Sequence, residues 1–410
     1  MFKLLNIIDN ENKWYIVNTI VIAFVINTQN MLIFQRENYV PILEKLYKGK
    51  IIIIYGPRQV GKTTLCKEIQ KKYPNSKIIV CDDPAVAKSL EPKSIDDLRK
   101  YFGKESLIII DEAQRVENIG LTLKIIADNY GDLQVIATGS SSFDLANKVN
   151  EPLTGRNWKF YLFPLSVKEM SLAYGDGLRS RLRDLLVFGS YPEVVSAEIN
   201  SKEILKTLSS DYLYKDLLSY EGIRKPKVIF DLLRLLALQV GNEVSYSEIA
   251  RTLSVNRDTV RSYIGILEQA FIIFTIPPLH KNKRKEISRL NKIYFYDNGI
   301  RNALVDNFEP LEKRTDVGAL FENFFVSEKM KQHFYNNAES KVYFWRTKQG
   351  QEIDFVEEYR GGEEYKIFEC KWKDQNQKIP LMWKKDYKNF EAKLIHKDNI
   401  FDYFLGHDTI

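Results

Sequence analysis

Short apolar runs alternate with helical periodicity in the part of the chain that follows residue 31. Several of these runs are continuous and mostly β-branched, which is typical of strands buried on both faces of a parallel sheet. They occupy residues 51–54, 77–80, 107–110 and 133–136. The segments between them are long enough for crossover helices. The pattern therefore predicts a doubly wound α/β domain over residues 31–165.

The alternation of strands and helices stops near Glu151. Residues 166–240 place apolar side chains at three- and four-residue spacing, as in residues 231–236, and this spacing predicts a helical region. From Val342 onward, strand-like runs are joined by turns such as Gly361-Gly362. We therefore expect an α+β domain over residues 301–410, with a separate module at residues 241–300.

Residues 1–30 precede these predicted domains. Within them, residues 14–26 are apolar, although Asn18 and Thr19 interrupt the run. These 13 residues fall short of the roughly 20 that are needed to span a bilayer. The segment is either an additional helix or strand, or an extension upstream of a native start at Met31. No membrane partner is expected.

The composition is that of an ordinary globular protein. Of 410 residues, 44% are hydrophobic and 28% are charged, which excludes a disordered chain, a collagen-like fibre and a multi-span membrane protein. The net charge of +6 is mild for this length, so only local clusters of charge bear on nucleic-acid binding. Three cysteines include no CxxC pair, and the four histidines lack metal-ligand spacing. A reducing compartment, and hence a cytoplasmic location, is expected.

A glycine-rich loop with the spacing GxxxxGK[ST] follows the first apolar run. The predicted phosphate-binding residues are Gly56, Pro57, Arg58, Gln59, Val60, Gly61, Lys62, Thr63 and Thr64. Backbone N–H groups of such a loop cradle phosphates, and the following helix adds its partial positive charge. Lys62 is expected to reach the β- and γ-phosphates, and Thr63 to bind Mg²⁺. The strand before the loop and the helix after it favour this function over a chance glycine-rich turn.

A pair of acidic residues, Asp111 and Glu112, ends the third apolar run. We expect this Walker B strand to neighbour the strand before the phosphate loop. Asp111 would help to hold Mg²⁺ and Glu112 would polarise the attacking water. The alternative is an acidic pair that caps a helix beginning at Ala113. The absence of an Asn-Lys-x-Asp guanine-reading motif favours ATP over GTP.

Two further positions are candidates for contact with the phosphates. The fourth run ends at Thr138-Gly139-Ser140-Ser141, where the Ser140 hydroxyl is the predicted sensor of the γ-phosphate or of the water. The alternative is a simple Gly-Ser turn. Arg156 is either an arginine finger, acting in its own chain or on a neighbouring subunit, or an ordinary surface arginine.

Five segments, in their order along the chain, resemble the AAA-type ATPases of archaea and bacteria that carry a C-terminal domain of unknown function. They are the phosphate loop, Asp111-Glu112-Ala113-Gln114, Thr138-Gly139-Ser140-Ser141, Leu153-Thr154-Gly155-Arg156 and Phe163-Pro164-Leu165-Ser166. The similarity extends over most of the chain after Met31. It implies ATP binding and hydrolysis with Mg²⁺. A monomer, a dimer and a ring assembly are all compatible with the sequence.

The module at residues 241–300 resembles a winged helix, as the family would predict. Ser245 and Asn256 cap two predicted helices separated by a short turn, and strands are predicted at residues 271–276 and 292–296. Basic residues lie on the second helix and between the strands: Arg257, Arg261, Lys281, Lys283, Arg284, Lys285 and Arg289. Either these charges meet DNA phosphates, or the module packs against the ATPase domain and the charges are solvated.

A second candidate site lies in the C-terminal domain. Four residues resemble the PD-(D/E)XK nuclease core, although the Pro of that motif is missing. They are Asp354 on one strand, Glu369 and Lys371 on the next, and Glu322 on a preceding helix. In such a core the carboxylates bind Mg²⁺ and the lysine handles the attacking water. The alternative is an exposed hairpin with alternating charges, or a binding module. Residues 378–393 are basic, with interleaved aromatic rings, and form either a nucleic-acid face or an amphipathic helix.

The leading hypothesis is therefore a Mg²⁺-dependent ATPase whose nucleotide state controls a DNA-directed C-terminal module and candidate nuclease. The alternative is a nucleotide-switched protein-interaction module with slow turnover and no nuclease activity.

Overall fold

The computed structural model describes residues 15–17, 20–22, 34–92, 94–139, 153–197, 199–212, 217, 223, 225–280, 290–374 and 379–406. A parallel five-stranded sheet, ordered β4-β5-β6-β3-β7, forms the centre of the N-terminal domain. Its strands are β3 (Ile51–Tyr55), β4 (Ser76–Val80), β5 (Leu107–Asp111), β6 (Gln134–Gly139) and β7 (Asn157–Tyr161). A short antiparallel pair, β1 (Tyr15–Val17) and β2 (Ile20–Ile22), precedes it.

The four strands predicted from apolar runs are confirmed, because β3 to β6 coincide with those runs. β7 was not predicted, since it is a half-exposed edge strand in which Asn157 and Lys159 interrupt the apolar pattern. The expectation that the Asp111 strand neighbours β3 is wrong: β6 lies between β3 and β5. The helices of this domain are α1 (Tyr39–Lys45), α2 (Lys62–Lys72), α3 (Pro84–Ser89), α4 (Ile95–Phe102) and α5 (Ile119–Asn129).

The middle of the chain is mainly helical and contains a small antiparallel sheet, ordered β8-β10-β9. Its strands are β8 (Glu243–Val244), β9 (Ile273–Ile276) and β10 (Asn291–Phe295). The helices are α6 (Val167–Tyr174), α7 (Leu182–Phe188), α8 (Pro192–Ser196), α9 (Ser201–Thr207), α10 (Pro226–Leu238), α11 (Tyr246–Thr252), α12 (Arg257–Gln269) and α13 (Asn298–Leu304). Ser245 caps α11 and Asn256 caps α12, each through a side-chain oxygen that accepts a backbone N–H bond.

The C-terminal part begins with the long helix α14 (Val317–Tyr335), which packs on a four-stranded sheet ordered β11-β12-β13-β14. The strands are β11 (Lys341–Arg346), β12 (Glu352–Tyr359), β13 (Glu364–Cys370) and β14 (Phe390–Ile395). The first two pairings are antiparallel, and β13 pairs with β14 in parallel. Helix α15 (Leu381–Asp386) lies between β13 and β14, and α16 (Ile400–Leu405) follows them.

Helix α14 contacts all three parts of the chain. Near its start, the Asn323 amide bonds the backbone N–H and carbonyl of Phe295 on β10. Further along, the Glu328 carboxylate accepts from the Val167 N–H at 2.8 Å, and the Lys331 ammonium donates to the Leu165 carbonyl at 3.0 Å. Near its end, the Phe334 ring lies 5.1 Å from that of Phe163, centroid to centroid. The helix therefore joins the C-terminal sheet to both preceding regions.

Alternate residues of β3 enter two different hydrophobic cores, as the side-chain period of a strand requires. Ile53 belongs to a core that continues through α5 to Phe325 of α14 and Phe355 of β12. Ile54 belongs to a core that continues through α2 to α10 and α12. Within the described residues, the helices are too short or too polar for any of them to cross a bilayer.

Candidate functional site

The phosphate loop connects β3 to α2 at the carboxyl edge of the parallel sheet. Gly56 has no room for a side chain, because a Cβ there would lie 2.0 Å from the Leu162 carbonyl oxygen. Gly61 adopts φ +95°, a left-handed conformation that favours glycine. The buried Lys62 ammonium donates to the carbonyls of Gly56 and Pro57, each at 2.8 Å. The remaining loop residues are partly exposed at Arg58 and Gln59, buried at Val60 and exposed at Thr64.

Three oxygen-bearing side chains meet beside the loop. The Thr63 hydroxyl donates to Asp111 Oδ2 at 2.7 Å, and the Thr138 hydroxyl donates to Asp111 Oδ1 at 2.5 Å. Asp111 and Thr138 are buried. A hydroxyl and a carboxylate in contact at a helix N-terminus form a donor set that suits Mg²⁺, which takes few protein oxygens and completes its shell with water and phosphate. The residues present therefore fit the ion that the motif implies.

Glu112 follows in a left-handed conformation, with φ 55° and ψ 42°. Its backbone N–H donates to the Thr138 hydroxyl at 3.2 Å, and its carboxylate accepts from the Gln114 amide at 2.5 Å. The side chain makes no capping bond to the turn that begins at Ala113. This geometry goes against the helix-capping alternative and leaves the carboxylate at the loop edge of the sheet.

Thr138 and Gln114 were not among the predicted site residues. Thr138 lies on β6, and the insertion of β6 between β3 and β5 is what brings its hydroxyl to Asp111. The polar end of an apolar strand marks Thr138 in the sequence, but the sensor prediction names the hydroxyl two positions later. That residue, Ser140, lies outside the described residues.

Arg156 lies at the opposite edge of the sheet from the phosphate loop. It precedes β7, whose five residues run parallel to β3, so the loop level is about 16 Å further along the strand direction. Its side chain is half-exposed and pairs with Asp128, with Nε 2.6 Å from Oδ1. This placement goes against a finger acting within its own chain. Action on a neighbouring subunit and the alternative of an ordinary surface arginine both remain open.

Two of the C-terminal candidate residues, Glu322 and Asp354, interact with a lysine that was not among the predicted site residues. Lys292 of β10 is 2% exposed, and its ammonium lies 3.0 Å from Glu322 Oε1 and 2.5 Å from Glu352 Oε1. The Tyr294 hydroxyl donates to the same Glu322 oxygen at 2.7 Å. Burial alone would lower the pKa of Lys292, but Glu322 and Asp354 raise it, so the ammonium stays charged. A single lysine in an apolar strand gave no signal of this role.

Asp354 is buried, and its carboxylate accepts from the Cys370 N–H at 2.8 Å. Burial, followed by the charge of Glu322, raises the pKa of Asp354 to about 7. Glu369 instead pairs with Lys371 at 3.0 Å, although the Lys371 ammonium also interacts with the charges of Asp354 and Glu322. Over the described part of the chain, no three His, Cys, Asp or Glu side chains are grouped so that they could hold a metal.

The predicted nucleic-acid faces differ in what the structure shows of them. Trp383 and Tyr387 are buried and stack on each other with 4.2 Å between ring centroids, which corrects the idea that these rings are free to stack on bases. Arg257 and Arg261 are exposed on α12. The basic residues at 281–289 lie outside the described residues.

Comparison with known proteins divides the chain into consecutive matched parts. Residues 48–171 match the AAA domain. This match supports a P-loop ATPase of the AAA type. Residues 179–311 match a domain of unknown function (DUF8612), and residues 317–408 match another (DUF4143). Most of the predicted helical region and the module at 241–300 therefore fall within one matched domain.

Similar proteins span most of the chain. An uncharacterized protein of Mycobacterium tuberculosis is 29% identical over 337 residues, covering 81% of this chain and 73% of that protein. An uncharacterized protein of Methanocaldococcus jannaschii is 27% identical over 335 residues, covering 76% of this chain and 73% of that protein. A solved structure, the Walker-type ATPase of Pyrococcus abyssi, is 18% identical with a TM-score of 0.48, covering 67% of this chain and 96% of that one.

Proposed function

We propose that the protein binds ATP together with Mg²⁺ and hydrolyses it. The observation that carries this proposal is the contact between the Thr63 hydroxyl and Asp111, 2.7 Å apart, beside the buried Lys62 at the N-terminus of α2. Few other functions need a cation, a metal-binding oxygen pair and a helix N-terminus at one point.

Each side chain of the site has its own role in hydrolysis. Lys62 binds phosphate oxygens by exchanging its bonds to the loop carbonyls for bonds to the nucleotide. Thr63 and Asp111 would hold Mg²⁺, which neutralises charge on the phosphates when bound. Thr138 keeps Asp111 and the Glu112 backbone in place. Glu112 orients the attacking water and accepts its proton.

Substitutions at two positions test this division. Lys62→Ala should abolish ATP binding or weaken it severely, because the charge on the phosphates loses its partner. Glu112→Gln should still bind ATP but stop its hydrolysis, since an amide does not accept the proton. Binding is measured with a fluorescent ATP analogue and turnover by phosphate release. Lys67→Ala, at an exposed position of α2, is the matched control. Undiminished turnover in Glu112→Gln would place the base elsewhere.

We further propose that the nucleotide state controls a DNA-directed module. Two observations support this proposal: the order β8, α11, α12, β9, β10 agrees with the order expected for a winged helix, and α12 presents Arg257 and Arg261 to solvent. Duplex DNA should stimulate ATP hydrolysis and bind with a steep dependence on salt, because phosphate contacts release counterions.

A double substitution, Arg257→Ala with Arg261→Ala, should reduce this binding and its salt dependence. Lys227→Ala with Arg234→Ala removes two exposed charges from α10 and is the charge-matched control. If both pairs behave alike, or if DNA neither binds nor stimulates turnover, the protein-interaction alternative takes its place.

The nuclease part of the hypothesis rests on Lys371, whose ammonium interacts with the charges of Glu369, Asp354 and Glu322. Lys292 supplies to Glu322 a positive charge that a metal would otherwise bring, and this argues for a binding module. Plasmid cleavage that requires Mg²⁺ or Mn²⁺ and disappears in Lys371→Ala, with ATP hydrolysis intact, would establish a nuclease. Absence of cleavage by the wild type would exclude it.

A further inference from the structure

Arg36 lies just before α1 and is buried against the phosphate loop. Its guanidinium donates to three elements: Nε to Glu169 Oε1 at 2.8 Å, Nη2 to the Phe163 carbonyl at 2.6 Å, and Nη1 to the Val60 carbonyl. The last of these acceptors belongs to the phosphate loop itself. A buried guanidinium in which each of the three nitrogens donates a hydrogen bond is held in one orientation.

The bond to Val60 determines the direction of the next amide. In a trans peptide the carbonyl and the N–H point in opposite directions. Because the Val60 carbonyl points to Arg36, the Gly61 N–H points to the other side of the loop. Phosphate loops bind their ligand through N–H groups aimed at its oxygens. Arg36 therefore determines whether the Gly61 N–H is available to a phosphate.

Arg36 is itself held by two helices. Glu169 of α6 is fully buried and also accepts from the N–H groups of Glu37 and Ser166, at 2.9 and 3.0 Å. Burial alone would lower the pKa of Arg36, but the Glu169 carboxylate raises it, so the guanidinium stays charged. On the other side lies the hydroxyl of Tyr335, at the end of α14, which interacts with the Arg36 guanidinium and also accepts from the Phe163 N–H at 3.3 Å.

We propose that Arg36 is a positioning residue for nucleotide binding: it sets the Val60–Gly61 peptide for the phosphates, and Tyr335 extends this control to the C-terminal domain. The proposal rests on the proposed binding of ATP. It assigns to the C-terminal helix an influence on nucleotide affinity that requires no contact with the nucleotide.

The test is calorimetric titration of the full chain with ATP and with ADP in the presence of Mg²⁺, which gives affinity and stoichiometry separately. Arg36→Met should raise Kd for both nucleotides by at least about tenfold, the effect of losing a charged hydrogen bond. Arg36→Lys, which keeps the charge, should recover part of this affinity. Tyr335→Phe should weaken binding by about two- to fivefold, because a neutral hydrogen bond contributes less.

Two control variants separate positioning from stability. Arg301 is an equally buried arginine that donates to the Ala237 carbonyl at 2.7 Å and to Asp316, so Arg301→Met should lower the melting temperature without changing Kd. Tyr403 also contacts α14, where its hydroxyl accepts from Lys329 at 2.9 Å. Tyr403→Phe should likewise leave Kd unchanged.

The outcomes are distinct. If Arg36→Lys and Tyr335→Phe bind nucleotide with wild-type Kd, the inference is wrong, even where Arg36→Met fails to fold. A reduced stoichiometry at unchanged Kd would show a purely structural role and would overturn it as well. If the wild-type chain binds no nucleotide, the proposed function fails, and the inference fails with it.

Discussion

The substitution Thr138→Val tests the centre of the candidate site, because it keeps the shape of the side chain and removes only the hydroxyl. Thr138 is fully buried and makes two bonds: it donates to the Asp111 carboxylate and accepts from the Glu112 N–H. Loss of a hydrogen bond to a charged group costs about 1.5–3 kcal/mol, and a buried amide left without an acceptor costs about 1–3 kcal/mol. We expect a loss of about 3 kcal/mol in the free energy of unfolding.

The matched control is Thr122→Val. Thr122 is equally buried, on α5, and donates at 2.8 Å to the carbonyl of Leu90, a neutral acceptor, so the expected loss is about 1 kcal/mol. Urea denaturation measures both values. Phosphate release measures turnover, which should fall by about 100-fold in Thr138→Val, since displaced catalytic groups lose rate steeply. It should stay unchanged in Thr122→Val. Equal turnover in the two variants would refute a role for Thr138 in the site.

Three further expectations concern other parts of the chain. Arg156→Ala should leave ATP affinity and stability nearly unchanged, because the ion pair of Arg156 is half-exposed. If Arg156 acts on a neighbouring subunit, the variant should lower turnover by about 10³-fold, and mixing it with Lys62→Ala should restore part of the activity. Wild-type turnover of Arg156→Ala at every protein concentration would exclude that role. Burial alone would raise the pKa of Glu357, but bonds from His333 and Lys329 lower it to about 2, below its unfolded value of about 4.3. The contribution of ionised Glu357 to the free energy of unfolding should therefore be fully present above about pH 5 and should be lost, by roughly 3 kcal/mol, as pH falls through 2. In denaturation measured at different pH values, Glu357→Gln should reduce this pH dependence. Lys292→Met should destabilise the fold by about 3 kcal/mol, because the partly buried Glu322 loses the counter-charge of a buried ammonium. Adding Glu322→Gln should restore part of the loss; additive losses would show that the two residues act separately.

Sequence reasoning succeeded where the physical cause is local. Strands β3, β5 and β6 are buried on both faces, so each is visible as a continuous apolar run. β4 lies at a sheet edge and is partly exposed, but its apolar residues 78–80 are still consecutive. The phosphate loop needs glycine at Gly56 because of close approach and at Gly61 because of backbone conformation. β7 lies at the other edge of the same sheet, where its residues are partly exposed and polar positions alternate with aromatic ones. Its polar positions removed the signal.

The residues that sequence reasoning missed act through contacts distant in the chain. Arg36 acquires its role from Glu169, 133 positions away, and Lys292 from Glu322 and Glu352. No local periodicity distinguishes such residues from a surface arginine or lysine. Similarly, the placement of Thr138 beside Asp111 depends on strand order, which apolar runs do not specify.

The contacts of α14 have a consequence for how the chain is divided in experiments. A fragment that stops before residue 317 would lose the partners of the Val167 N–H and the Leu165 carbonyl. It would also expose the ring of Phe163, which Phe334 covers. Such a fragment carries every motif of the phosphate site but an incomplete interior, so it should aggregate. Inactivity of the truncated chain would therefore say nothing about what the C-terminal domain does, whereas single substitutions on α14 would.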